Sequence, residues 1–173
     1  MSPVSPSDVS TQRQYLQVSL EEAQATVRAY DTKAQIVGIG YTFALNIVAN
    51  VIGGLPGSGG EGPIFVLLFW AVVMAPLFLF GYVLYPSRRS APLVNDDTEA
   101  GLERTLYVQT SRYKTVTDLQ AAVARADWQA ELAYEVLKVS KLREQKRLRF
   151  ITALYATMLS FGALALKQFS GVI

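Results

Sequence analysis

Cations and tyrosines cluster between residues 104 and 114, and these side chains are the ones in the chain best suited to bind an anionic group. The cluster consists of Arg104, Tyr107, Arg112, Tyr113 and Lys114. Arginine and lysine can pair with a phosphate, and a tyrosine ring can stack on a flat ligand. Cations beside a membrane can equally bind the headgroups of anionic lipids. The cluster therefore predicts a ligand-binding surface, a lipid-facing surface or an ordinary solvated one.

Several classes of chemistry are excluded by composition. The chain contains no cysteine and no histidine, so it cannot build a disulfide, a cysteine or histidine zinc site or a Ser-His-Asp triad. Its net charge of +2 gives no case for nucleic acid as a partner. An enzyme acting inside a membrane would need an intramembrane carboxylate, histidine or cysteine, and the apolar segments contain none. We therefore predict a protein that is not an enzyme and that holds no metal and no cofactor.

Three charge-free stretches account for a chain that is 51% hydrophobic and only 17% charged. They cover residues 34–60, 62–87 and 150–166. The hydrocarbon core of a bilayer is about 30 Å thick and needs about 20 helical residues to cross it. The sequence therefore predicts an all-α membrane protein with three transmembrane helices, at about residues 34–54, 63–85 and 150–167.

The distribution of lysine and arginine predicts the orientation of these spans, because positive residues near spans stay on the cytoplasmic side. Such residues precede span one, follow span two and precede span three, whereas the turn between spans one and two has none. We therefore expect a cytoplasmic N-terminal segment and helix at 1–33, a transmembrane hairpin at 34–85 and a cytoplasmic linker and helical region at 86–149. The third span follows at 150–167, and a short tail at 168–173 lies outside.

Two features mark the first span. Asp31 and Lys33 lie at its cytoplasmic mouth, where the lysine can reach lipid headgroups and the aspartate is either solvated or turned toward protein. Inside the span, a small and polar stripe recurs every four residues and consists of Gly38, Thr42, Asn46 and Asn50. Amides are costly in hydrocarbon and usually face another helix or a wet cavity. The stripe therefore predicts either a packing seam or the lining of a pore.

The cytoplasmic region is predicted to be helical and to break near residues 111–117. From Thr117 onward, with "TVTD" as its start, we expect one long helix that continues into span three as a stalk. Its packing seam follows alternating spacings of four and three and consists of Leu119, Val123, Ala126, Ala130, Ala133, Leu137 and Ser140. The amphipathic segment before span one is its expected packing partner. In span two, Pro76 is expected to free a backbone carbonyl and bend the helix.

The order of these elements resembles a known family. "DTKA" enters the first span, "YPSRR" follows the hairpin, and "LERTLYVQTSRY" and "ELAYEVLKVSKLREQKRLRFITALY" lead into the last span. Together they are similar to the transmembrane effectors of bacterial Pycsar antiphage systems. In those effectors an Asp-x-Lys-Ala step enters the first membrane helix. A Ser-hydrophobic-x-x-x-Lys pattern precedes the last one. Here Ser140, Lys141 and Leu142 are followed by Lys146, one residue further along than in that pattern.

The resemblance implies a specific function. A companion pyrimidine cyclase makes cyclic CMP or cyclic UMP on phage infection, and the effector responds by impairing the inner membrane and killing the cell. The resemblance itself gives no ligand residues, and it is the chemistry of a cyclic nucleotide, a monoanion with a base to stack, that makes Arg104, Tyr107, Arg112, Tyr113 and Lys114 the candidate site. We also expect several copies of the chain to assemble in the bacterial inner membrane, because three helices with polar stripes cannot form a conducting path alone. The alternative is a membrane scaffold that recruits a soluble partner through its cytoplasmic helices, without any leak of ions.

Overall fold

A computed structural model describes residues 6–51, 62–85, 102–106 and 110–170. These residues form four α-helices and one short 3-10 helix. The elements are α1 (Pro6–Val51), α2 (Pro63–Leu84), the 3-10 helix (Thr110–Arg112), α3 (Val116–Arg125) and α4 (Trp128–Ser170). The described residues contain no β-strand, as the sequence predicts for an all-α protein.

The chain divides into two compact units. The first unit combines residues 1–27 with 86–144, and the second combines residues 28–85 with 145–173. Helix α1 contributes to both, because it is unbroken from Pro6 to Val51. The expectation that the N-terminal amphipathic helix runs directly into the first apolar segment is therefore confirmed.

The second unit is a bundle of three helices packed along their length. One core cluster joins Ala34 of α1, Phe80 and Val83 of α2, and Ala153 of α4. A second cluster joins Phe69 and Val73 to Leu164, with Leu45 and Val48 of α1 packed against it. The C-terminal half of α2 therefore contacts Ala34 and Ala153, and its N-terminal half contacts residues that come later in α1 and α4. Helix α2 is antiparallel to both.

Helix α2 is apolar all round but has one buried face. The buried residues follow spacings of four and three, which keeps them on one side of a helix: Phe69, Val73, Pro76, Phe80 and Val83. Its other faces are exposed, with Phe78 at 77% and Leu67 at 70%. Contact with α1 and α4 is therefore confined to one face of α2.

Two described helices are long and apolar enough to cross a membrane, rather than the predicted three. They are Pro63–Leu84 and Trp128–Phe169, with mean hydropathies of 2.6 and 1.5 in their most apolar windows. Helix α1 is not among them, and its apolar half is described only as far as Val51. The predicted first span ends at about residue 54, so its last residues lie outside the described residues.

The predicted long helix from Thr117 is interrupted. Helix α3 begins as expected, because the Thr115 side chain accepts a hydrogen bond from Asp118 N and caps the first turn. It ends at Arg125, and α4 begins at Trp128. Asp127 caps this new start, since its Oδ1 accepts from Gln129 N at 3.0 Å and from Ala130 N at 3.3 Å.

The predicted seam is wrong as a description of packing within the chain. The buried positions of α3 and α4 in the first unit are Ala122, Glu131, Leu132 and Glu135, whereas Leu137 of the seam is 43% exposed. The seam assumes one continuous helix, but the break between Arg125 and Trp128 changes which side chains of α4 lie on the buried face. The residues described before the 3-10 helix, 102–106, are not helical either, although the sequence predicts a helical region there.

Candidate functional site

Asp31 and Lys146 form a salt bridge between α1 and α4 in the second unit. The Lys146 side chain is only 5% exposed and that of Asp31 33%, so the pair is shielded mainly on the lysine side. A buried ammonium group without a partner costs several kcal/mol, and the carboxylate offsets this cost. The two residues come from two of the sequence patterns on which the family resemblance rests, and the structure brings those two patterns together.

This contact decides between the alternatives for the entrance of the first apolar segment. Asp31 contacts protein through Lys146. Lys33 is exposed instead, with its Nζ 5.8 Å from the centroid of the Tyr30 ring. Two residues apart on a helix, the two side chains point in different directions and take different roles.

Tyr41 connects the three helices of the second unit. Its hydroxyl donates to the carbonyl of Val73 at 2.6 Å and lies 2.5 Å from Ser160 Oγ. A tyrosine hydroxyl has one proton, and a carbonyl can only accept, so the Ser160 hydroxyl donates to Tyr41. Tyr41 and Ser160 are both buried, and their bonds satisfy polar groups that would otherwise be costly in an apolar bundle.

The small and polar stripe of α1 takes part in this bundle only at its first position. A Cβ added to Gly38 would lie 3.5 Å from Phe80 Cβ, which is ordinary contact distance. Thr42, Asn46 and Asn50 are exposed. Within the helix, Thr42 Oγ1 donates to Gly38 O at 2.9 Å, and Asn50 Nδ2 donates to Asn46 O at 2.9 Å and to Asn46 Oδ1 at 3.2 Å. The two amides therefore form an exposed polar patch on an otherwise apolar segment.

In the first unit, the buried carboxylate of Glu131 holds the segment at 102–106. Glu131 accepts from Arg104 N at 2.6 Å and from Thr105 N at 3.0 Å. Arg104 has a φ of 56°, in the left-handed region that costs a residue with a side chain about 1 to 2 kcal/mol. The two hydrogen bonds to a charged acceptor offset that cost. Neither Glu131 nor this turn is predicted by the sequence reasoning, since the residues are far apart in the chain.

Tyr113 contacts the same segment. Its hydroxyl donates to the Glu103 carbonyl, and the Glu103 carboxylate accepts from Arg125 Nε at 3.0 Å. The hydrogen bond and the charge of Glu103 raise the pKa of Arg125. These contacts fasten the turn before α3 to the segment at 102–106.

The structure gathers only part of the predicted ligand cluster. The Arg104 guanidinium lies 6.0 Å from the centroid of the Tyr134 ring, and Tyr113 is half-buried against the Glu103 carbonyl. Arg112 and Lys114 are exposed, and Tyr107 lies outside the described residues. The role of these residues in ligand binding stays a prediction. No group of three or more acidic side chains in the described residues could hold a metal ion.

A groove in the first unit has a different set of binding groups. It has a volume of about 170 Å³ and is lined by Arg13, Gln17, Leu106, Trp128 and Leu132. Beside it, Gln129 Nε2 donates to Gln12 Oε1 at 2.8 Å, which fastens α4 to α1 and confirms the expected packing of the N-terminal helix on α4. The sequence reasoning did not select these residues, although Arg13 and Gln17 share a helix face four residues apart.

Comparison with protein families places the chain in a known family. The model of the family described as PycTM, Pycsar effector protein domain, matches residues 15–169. The chain belongs to the Pycsar effector family. No curated protein and no solved structure matches the chain.

Membership of the Pycsar effector family sets the general function. The chain is an antiphage defence effector, and its family is one of effectors, with no catalytic activity known for it. The two apolar helices and the transmembrane character of the family indicate a membrane protein. The matched residues include the Asp31–Lys146 pair and the turn held by Glu131.

Proposed function

We propose that this effector is activated by cyclic CMP or cyclic UMP and then impairs the bacterial inner membrane, which kills the infected cell. The observation that carries the proposal is the match to the Pycsar effector domain over residues 15–169, which includes parts of both compact units. A companion pyrimidine cyclase supplies the nucleotide. Membrane lipid and further copies of the chain are its other partners.

Exposed apolar side chains on the second unit support a place in the membrane. Large hydrophobic residues face outward on all three helices, among them Phe43 at 67% exposure, Phe78 at 77% and Met158 at 71%. Soluble monomers rarely expose apolar patches of more than a few hundred Å². Lipid tails are the solvent that suits these faces.

The packing of α1 supports three spans in the active protein. If α2 crosses the bilayer, a helix packed along it from Val83 to Phe69 crosses the same depth. Helix α1 does so, with Ala34 at one end of this contact and Val48 at the other. The N-terminus is then cytoplasmic, because positive residues precede the first span and follow the second, and such residues stay on the cytoplasmic side.

The exposed amides of α1 support a leak formed by several copies. Asn46 and Asn50 are exposed and hydrogen-bond to each other, and lipid is an unfavourable neighbour for an amide. Association of several copies places the amides against another chain or along a shared wet path. Ligand binding to the first unit then favours the arrangement in which that path conducts.

Leakage from liposomes tests the proposal. Purified protein is inserted into liposomes filled with a dye, and cyclic CMP, cyclic UMP and cyclic AMP are added separately. We expect dye release with one or both pyrimidine nucleotides and none with cyclic AMP. The absence of release with every nucleotide, in protein shown to be inserted, would refute the proposed activation.

A double variant tests the role of the amides. Asn46→Leu together with Asn50→Leu should insert and assemble normally but lose most of the dye release. The matched control is Ile39→Leu with Ile47→Leu, because those residues are exposed on the same helix but carry no amide. Unchanged leakage in the asparagine variant would remove the amides from the conducting path.

A further inference from the structure

The groove lined by Arg13, Gln17 and Trp128 contains the three kinds of group that a cyclic mononucleotide requires. Such a ligand has one negative charge on its cyclic phosphate, a flat base and a polar base edge. A guanidinium pairs with phosphate oxygens, an indole stacks on a base, and an amide offers both a donor and an acceptor to the base edge. The remaining lining is apolar, from Leu106 and Leu132.

We propose that this groove is where the activating nucleotide binds. This inference rests on the proposed function, since it takes a cyclic pyrimidine nucleotide as the ligand. It assigns the site to α1 and the start of α4, rather than to the basic cluster between residues 104 and 114.

Charge and burial favour this groove. Arg13 is exposed and has no carboxylate partner among the described residues, so its charge remains available to an anion. In the sequence-predicted cluster, by contrast, Tyr113 already bonds to Glu103 and the Arg104 guanidinium lies over Tyr134. Leu132, at 5% exposure, gives the groove a buried apolar wall.

The groove holds part of a nucleotide rather than the whole molecule. Its volume of about 170 Å³ is below the roughly 300 to 1,000 Å³ of common ligand pockets. The base is placed beside Trp128, and the preference for a pyrimidine comes from the proposed function. Gln17 can satisfy either cytosine or uracil by rotating its amide, since each base edge has donors and acceptors.

The position of the groove connects it to the rest of the chain. Arg13 and Gln17 lie on the helix that continues to Asp31 and Asn50, and Trp128 and Leu132 lie on the helix that continues to Lys146. A ligand that contacts both helices favours the arrangement in which they hold it. Nucleotide binding can therefore bias α1 and α4, the two helices that also carry the salt bridge.

Tryptophan fluorescence tests the site directly. The chain has two tryptophans, so a Trp70→Phe background leaves Trp128 as the only emitter. In full-length protein in detergent micelles, cyclic CMP and cyclic UMP should quench Trp128 with saturation, and cyclic AMP should bind at least about tenfold more weakly. Isothermal calorimetry on the same samples gives the affinity independently of the fluorophore.

Variants at the cation separate this groove from the other basic residues. Arg13→Gln should weaken binding about 10- to 100-fold, because a hydrogen bond to a charged group is lost. Arg13→Lys should recover part of the affinity. The matched control is Arg112→Gln, which removes an exposed cation of the same unit and should leave binding unchanged.

The outcomes are distinguishable. Nucleotide binding by calorimetry with no loss in Arg13→Gln, or with the loss in Arg112→Gln instead, overturns the groove and leaves the proposed function standing. No binding of any of the three nucleotides overturns both. Saturable quenching of Trp128 that Arg13→Gln weakens and Arg112→Gln does not is the result that supports the site.

Discussion

Breaking the salt bridge between Asp31 and Lys146 should have unequal effects, depending on which partner is changed. The Lys146 side chain is 5% exposed, so Asp31→Asn leaves a buried ammonium group without a counter-charge. Removing one partner of a buried pair costs about 3 to 5 kcal/mol. The aspartate is one-third exposed, which reduces the effect through solvent screening, and we expect a loss of about 3 kcal/mol.

The opposite change should cost less. Lys146→Met removes the buried charge and keeps an apolar side chain of similar length, while Asp31 can still be hydrated. We expect a loss of about 1 kcal/mol, in the range of partly exposed pairs. The double variant should lose about 2 kcal/mol rather than the sum of about 4 kcal/mol, a coupling of about 2 kcal/mol between residues in contact.

Unfolding in mixed micelles measures these differences. The purified variants are titrated with SDS and followed by far-UV circular dichroism, which gives the free energy of unfolding for each. Lys141→Met is the matched control, because Lys141 lies on the same helix but is exposed, and it should change stability by less than about 0.5 kcal/mol. Equal losses in the two single variants, or a coupling of zero, would refute the reasoning from burial.

Three further predictions concern single polar groups. Thr115→Ala removes the acceptor for Asp118 N and should destabilise the first turn of α3 by about 1 kcal/mol. Amide hydrogen exchange in that turn should become faster, and unchanged exchange would show that Thr115 does not stabilise the start of the helix. Glu131→Leu leaves two backbone N–H groups without their acceptor and should lower the free energy of unfolding by about 2 to 4 kcal/mol. A loss below about 1 kcal/mol would show that the turn at Arg104 does not depend on this carboxylate. Tyr41→Phe removes a hydroxyl with two hydrogen bonds and should cost about 1 to 2 kcal/mol in the same titration, whereas the exposed Tyr155→Phe should cost almost nothing.

The sequence predicts those structural features that depend on residues close together in the chain. The helical class, the continuity of α1 into its apolar segment and the start of α3 after Thr115 follow from periodicity, apolar length and capping side chains. These are short-range properties, because a helix satisfies its backbone within four residues. The same local reading missed Asp127 as a cap, since the apolar spacing around it continues without interruption.

The pairing of distant residues was decided by the tertiary structure alone. Asp31 meets Lys146 across 115 positions, and Glu131 meets the segment at Arg104 across 27. Charge and spacing identify each of these side chains as polar, but no local pattern states which partner it meets. The partner depends on how α1, α2 and α4 pack, and that packing is set by apolar contacts between helices. The sequence therefore determined the helices and the family, while the packing determined the salt bridge, the buried carboxylate and the groove at Arg13 and Trp128.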